Sequence, residues 1–213
     1  VIHLDYGNSK KIMKEIQSKI NIIGGGLIGA VAAYSLSKLG NSVVILEKNA
    51  KFDQKKILDK RTTAISEGTK RYLENINIWR EIRNYAEPIK KIQIIDRNQS
   101  NKIYFDNQRR GSNLGYIIRN EFMLKSFYKK LQKQKNVKIF NNVSIDDIYY
   151  KGNKITTKQK DFTVNSNLLL ASDGKNSFIR KVFKTPIYSK DYKKKAIVIN
   201  FYHSKNHHNT AYE

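Results

Sequence analysis

The sequence predicts an α/β fold, and three observations carry that expectation. Short runs of β-branched residues alternate with segments of helical periodicity along most of the 213 residues. The run Ile20-Asn21-Ile22-Ile23 is apolar almost throughout, as a strand buried on both faces of a parallel sheet must be. A glycine-rich turn, an Ala- and Leu-rich helix and a second apolar strand follow it directly, which is the order of a parallel crossover unit.

Residues 1–18 read as a polar, lysine-rich extension in which Ile12, Met13 and Ile16 make at most one amphipathic turn. The helix after Ile23 is expected from about Leu27 to Leu39, with Gly40 as its stop. The second strand is Ser42–Leu46, and a charged loop covers Asn49–Lys60. Ser66 is placed to cap a helix reaching about Asn77, with Leu73 and Ile76 at helical spacing. A short helix over Trp79–Tyr85 stops before Pro88. Strand character follows at Ile89–Arg97 and Ile103–Phe105, joined by a turn at Asn98–Asn101. Leu114–Arg119 reads as a strand. The helix from Glu121 offers Phe122, Leu124 and Leu131 to a core and Lys129, Lys130 and Lys133 to solvent. Val137–Phe140 is a buried strand, and Ile145–Tyr150 with Lys154–Thr157 flank Gly152-Asn153 as a hairpin. Leu168–Ser172 is a strand running into Asp173-Gly174, a helix starts near Ser177, and Ala196–Tyr202 is a last strand.

Composition bounds the function. The chain has 39% apolar residues, which suits a folded core, and no cysteine, which excludes disulfides, thiol catalysis and zinc–thiolate sites. The 41 basic residues outweigh 18 acidic ones, giving a formal charge of +23. Most are lysines scattered along the chain. Planar recognition of nucleic-acid phosphate tends to use arginine interleaved with aromatics, so the charge reads as compositional bias and nucleic acid is not the expected partner. The N-terminus lacks the apolar centre of a signal peptide, and no apolar run approaches the ~18 residues of a membrane span, so a cytoplasmic location is expected.

The chemistry concentrates between Lys19 and Lys48. Gly24-x-Gly26-x-x-Gly29 follows the first strand: Gly24 permits the tight turn, Gly26 lets a pyrophosphate approach, and Gly29 lets the helix pack on the strand. Glu47 ends the second strand. A carboxylate there accepts ribose hydroxyls and repels a 2′-phosphate, while the helix N-terminus favours the anion. Strand, helix and acid together define a Rossmann-like unit for an ADP moiety. His203, His207 and His208 lie in a polar loop suited to solvent and not to a metal.

Four blocks occur in a set order: Gly24–Gly29 with Glu47; Arg61-Thr62-Thr63-Ala64-Ile65-Ser66, leading to Ala86-Glu87-Pro88-Ile89; Leu114-Gly115-Tyr116-Ile117-Ile118-Arg119-Asn120; and Ala171-Ser172-Asp173-Gly174, leading to Arg180. Together they resemble the flavin-dependent aromatic hydroxylases, most closely those of ubiquinone biosynthesis, related to para-hydroxybenzoate hydroxylase. The likeness runs from about Ile20 to Glu213. It implies an FAD-dependent monooxygenase that takes electrons from NAD(P)H and hydroxylates a polyprenylated phenol. It also implies that Gly24, Gly26, Gly29 and Glu47 hold the ADP half of FAD, that Arg61 lies along its phosphates, that Arg119 and Asn120 lie near the flavin, and that Asp173 and Gly174 serve FAD and NAD(P)H. No side chain is assigned to catalysis, because the flavin carries the chemistry.

The domains expected on this basis are a discontinuous FAD-binding domain, 19–85 plus 112–185, and an incomplete β-sheet substrate domain, 86–111 plus 186–213. The family's second flavin motif contains a Gly-Asp pair, and the sequence has none. Three readings stand side by side: a truncated or split hydroxylase whose C-terminal half is a separate chain, an inactive remnant, and a basic module that reuses an ADP fold at a membrane or on nucleic acid. A lipid-tailed substrate implies peripheral contact with the inner membrane, and the positive charge is compatible with it.

Overall fold

The computed structural model describes residues 13–49, 59, 61–96, 102–106 and 112–213. The largest sheet has the order β8-β2-β1-β11-β10-β9. Its strands are β1 (Lys14–Ile23), β2 (Val43–Glu47), β8 (Val137–Asn141), β9 (Asp147–Lys151), β10 (Lys154–Lys158) and β11 (Phe162–Ala171). β8, β2, β1 and β11 run parallel, and β10 and β9 continue antiparallel as the hairpin expected around Gly152, whose φ is +60°.

Helix α1 (Leu27–Lys38) carries the chain from β1 to β2. It buries Gly29, Ala30, Ala33, Tyr34 and Ser37. The small members of that set, Gly29, Ala30, Ala33 and Ser37, let it lie close against the sheet, whose Ile20, Ile22, Val43 and Ile45 share its core. The helix ends in a Schellman turn: the Gly40 and Asn41 amides donate to Ser37 and Leu36, and Gly40 supplies the left-handed φ of +78° that the turn requires.

On the same face lies α4 (Asn120–Leu131), which buries Met123, Phe127, Tyr128 and Leu131. Phe127 meets Tyr34 edge to face at 6.1 Å. The sequence expectation of Phe122, Leu124 and Leu131 was right for Leu131 and one residue out for the main stripe. Leu124 is only partly buried, and Phe122 stacks on Tyr85 at 4.2 Å nearer the surface. The sheet's other face carries Ile23, Val44, Leu46 and Val164, joined by Ile179 of α5 (Phe178–Val182).

Two further, smaller sheets lie among the described residues. β3 (Thr62–Ser66) and β4 (Ala86–Ile89) flank β7 (Gly115–Arg119), both antiparallel to it. Between them α2 (Glu67–Asn75) begins at Ser66, whose hydroxyl accepts the Thr69 amide, as the capping pattern predicts. α3 (Trp79–Ile82) and a 3₁₀ turn at Arg83–Tyr85 match the short helix expected there. β5 (Lys91–Ile95), β6 (Lys102–Asp106) and β12 (Thr210–Tyr212) form the third sheet.

Two expectations are corrected. Lys14–Ser18 are no polar extension: they form the first half of β1, with Ile16 buried, because Phe162–Ser166 of β11 pair with them. That partner lies far along the chain, so no local pattern announces it. Ala196–Tyr202 is not a strand. Its residues have high β-propensity but pair with no strand among the described residues, and Ile197, Val198, Ile199, Phe201 and Tyr202 stand exposed. The turn expected at Asn98–Asn101 and most of the Asn49–Lys60 loop lie outside the described residues.

Candidate functional site

The neighbours of β1 place the site. The chain leaves β1 towards β2 on one side, while β11 lies on the other, so the carboxyl ends of these strands open a crevice at a topological switch point. Two turns meet there. Ser172, just after β11, donates its amide to Ile23 O at 2.8 Å and its hydroxyl to Ile23 O and Gly24 O at 2.9 and 3.0 Å. Gly24 has φ +101°, and a Cβ on it would stand 2.4 Å from Ser172 O. Glycine is needed there for both conformation and room.

Around these turns lies a cavity of about 460 Å³ whose lining includes Gly24, Gly26, Glu47, Asn49, Asp173 and Gly174. Five of the eight sequence-predicted site residues, Gly24, Gly26, Glu47, Asp173 and Gly174, are therefore brought together on one concave surface. Gly29 lies beneath it: an added Cβ would sit 1.9 Å from Gly24 O, so helix and turn touch through bare backbone. Gly26 is the opposite case. An added Cβ meets no atom of the described residues within 4 Å, so their packing does not demand glycine there. Gly26 also begins α1 as its N-cap, with no side chain capping the helix. The first amides of that helix have no intrahelical acceptor and carry the positive end of its dipole, which suits an anion. These residues fit an ADP moiety.

Glu47 is held by its surroundings. Its Oε2 accepts the Gly25 amide at 2.6 Å, and its Oε1 accepts the Asn49 amide and Asn49 Nδ2 at 2.8 and 2.7 Å. Asp173 accepts the Phe178 and Ile179 amides at 2.7 and 3.3 Å, fixing the start of α5, and Ser177 caps the same helix through the Arg180 amide at 3.0 Å.

Arg61 and Arg119 do not line this cavity. They stand at one end of the β3–β7 ladder, where Thr62 pairs with Arg119. Arg61, 71% exposed in its side chain, binds Asp59 through Nε at 2.7 Å and Nη2 at 2.9 Å. That guanidinium is the main reason the Asp59 carboxyl is lowered to about 2. Asn120 joins the cluster, donating to Asp59 at 3.0 Å and accepting from Thr63 at 2.6 Å. Arg119 pairs with Glu121 at 3.2 Å.

Sequence reasoning missed Gly25, Asn49, Tyr128 and Ser172 as parts of the site. Asn49, two residues after the strand-end acid, was within reach of a local reading. Tyr128 was not: its hydroxyl donates to Gly25 O at 2.8 Å from a helix 103 positions away. Among the described residues no group of three or more His, Asp or Glu suited to a metal occurs.

Fold and site together define an α/β protein of the dinucleotide-binding class. The chain matches the family described as FAD binding domain over residues 17–210 and belongs to that family. Among curated proteins it is 24% identical over 197 residues to ubiquinone hydroxylase UbiL of Rhodospirillum rubrum, covering 90% of this chain and 45% of that protein. It is 27% identical over 192 residues to the mitochondrial ubiquinone biosynthesis monooxygenase COQ6 of Drosophila melanogaster, covering 84% and 40%. Among solved structures, p-nitrophenol 4-monooxygenase PnpA from Pseudomonas putida superposes with a TM-score of 0.67 at 21% identity, over 79% of this chain and 43% of that one. PqsL from Pseudomonas aeruginosa, described as a probable FAD-dependent monooxygenase, gives 0.70 at 15% identity, over 83% and 48%. The fold expectation is confirmed by both. The chain spans less than half the length of these relatives.

Proposed function

We propose that this chain is the ADP-holding part of an FAD-dependent monooxygenase that hydroxylates a polyprenylated phenol ring in ubiquinone biosynthesis, with NAD(P)H as reductant. The observation that carries the reading is the convergence of Gly24, Gly26, Glu47, Asp173 and Gly174 on one cavity at the switch point. The names of the curated relatives supply the substrate class.

In this reading the free amides at the start of α1 bind the pyrophosphate and Glu47 takes the adenosine ribose. A carboxylate offers about four lone-pair sites, and three are used by Gly25 and Asn49. One ribose hydroxyl takes the fourth, and the second displaces the Asn49 side chain. Asp173 and Gly174 border the same cavity, Gly29 keeps the helix close, and Arg61 and Arg119 are assigned as cations of the cofactor site from the end of the β3–β7 ladder. The bound flavin would supply the redox and oxygen chemistry, and the protein's task is to hold it, orient the ring and exclude water. The FAD-binding part is assigned to 14–85 plus 112–185, since Lys14–Ser18 belong to β1, and 86–111 plus 186–213 to an incomplete substrate domain.

A lipid-tailed substrate favours work at the cytoplasmic face of the inner membrane. The charge of +23 supports that, and no helix among the described residues is long and apolar enough to cross a membrane. The exposed apolar stretch Ile197–Tyr202 supports a second reading, in which further polypeptide, supplied as a separate C-terminal half, covers it before the enzyme turns over.

The test is an FAD titration of the purified chain, followed by flavin fluorescence, with Gly26→Val as control. Saturable binding that is abolished in the variant is expected. A folded chain that ignores FAD would reduce the hydroxylase reading to ancestry.

A further inference from the structure

Gly25 is held through both of its flanking peptide units. Its N–H donates to Glu47 Oε2 at 2.6 Å, and its carbonyl accepts the Tyr128 hydroxyl at 2.8 Å. The grip is tight: a Cβ on Gly25 would lie 2.3 Å from the Tyr128 oxygen and 3.3 Å from Glu47 Oε2. Three consecutive glycines have wide conformational freedom, so a Gly-Gly-Gly turn does not fix its own peptide planes. Something outside the turn must.

We infer that Tyr128 is a positioning residue for the anion site, holding the Gly25 carbonyl so that the Gly26 amide is aimed away from α4 and towards the cavity. The geometry is that of the peptide unit. The Gly25 carbonyl and the Gly26 N–H belong to one planar trans peptide, in which they point in opposite directions. Fixing the carbonyl on Tyr128 therefore fixes the direction of the amide. Gly26 lines the cavity, so the aimed amide is one that a pyrophosphate oxygen can use. Tyr128 is suited to the task. Its ring belongs to the core with Phe127 and Leu131, so the hydroxyl reaches the turn from a rigid base. Burial holds its phenol well above the ordinary range, so the group stays a donor wherever the protein is folded and functional. The inference rests on the dinucleotide reading and adds to it a residue that no glycine or acid motif contains.

Tyr128→Phe keeps the ring and removes only the hydroxyl. ADP and adenosine are titrated into the wild-type chain and the variant by calorimetry, with thermal melts to verify folding. The expected result is an ADP affinity about tenfold weaker, the scale of one lost hydrogen bond, with adenosine affinity unchanged. Equal losses for both ligands would indicate a merely structural role, and an unchanged ADP affinity would equally overturn the inference. A ligand-free measurement decides the clamp separately. The Gly26 amide order parameter is expected to fall from a rigid value of about 0.85 to below ~0.6 in the variant, and an unchanged value refutes the clamp. A wild-type chain that binds neither ligand refutes the dinucleotide reading, and with it the pyrophosphate as the purpose of the clamp.

Discussion

Gly26 and Gly29 stand three positions apart in one motif, yet a methyl group would meet opposite surroundings at the two sites. At Gly29 it would run into Gly24 O at 1.9 Å and Ser172 Oγ at 2.8 Å, and the backbone oxygen cannot move without opening the turn. Gly29→Ala is therefore expected to destabilise the chain by about 3 kcal/mol or more, at the upper end of overpacking costs. At Gly26 the methyl meets none of the described residues, and φ is an ordinary −64°. Gly26→Ala should melt within a few degrees of wild type while weakening FAD binding, and a melting curve beside a titration separates the two glycines. Tyr128 makes a prediction at alkaline pH. Burial, with the charge of Glu47 as a second cause, moves its pKa from 10.0 to about 12. Between those values the unfolded chain has released a proton that the folded chain retains, so stability is full below pH 10 and falls as pH rises towards 12. Two units correspond to about 2–3 kcal/mol. Denaturant titrations at pH 9 and pH 11.5, the latter short of the folded value, should show wild type losing about 2 kcal/mol relative to Tyr128→Phe, and parallel losses would contradict the assignment.

At the scale of elements, what was legible in the sequence is what short-range chemistry determines. Ser66 and Ser177 start their helices because a hydroxyl three residues ahead of an amide can cap it, and Gly40 and Gly152 close turns that need positive φ. Of the site, the glycines and Glu47 were readable because strand, glycine turn, helix and second strand follow one another in order, whereas Asp173-Gly174, a simple turn by its own chemistry, came only from the family resemblance. Pairing across distance was not readable. The first half of β1 depends on β11, β3 depends on β7, and Tyr128 reaches Gly25 only because α4 packs beside α1. The same reasoning explains Ala196–Tyr202, where strand-forming residues find no strand. Amides of the exposed Ile197, Val198 and Ile199 are expected to exchange within seconds, while those of Val43–Leu46 in the buried β2 are protected. A double change of Ile197 and Ile199 to Lys should leave the melting temperature within a degree or two. Ile45→Ala, at a site with no exposure, should cost about 2–5 kcal/mol. Strong protection across Ala196–Tyr202 in the isolated chain would mean that the segment has found a partner, either within the chain or in a second copy.

For the molecule as a whole the governing quantity is a formal charge of +23. Ion pairs such as Lys130–Glu81 at 2.8 Å and Lys70–Glu74 at 2.9 Å offset repulsion locally, but 18 carboxylates cannot neutralise 41 cations. The folded state concentrates the excess, so folding works against self-repulsion that salt screens. Raising ionic strength from ~10 mM to ~0.15 M shortens the screening length from about 30 Å to about 8 Å. The melting temperature should therefore rise by several degrees over that range. Most mildly charged proteins lack so large a net term. The same field attracts a pyrophosphate, so ADP affinity should fall over the salt range in which stability rises. The two slopes have opposite signs because one effect removes a penalty and the other an attraction. A melting temperature that falls with salt would show that paired side chains, and not the net charge, dominate the electrostatics of the fold. An ADP affinity indifferent to salt would place the recognition in the oriented amides of α1 and the Gly26 turn, whose dipoles act at hydrogen-bond range and are screened little.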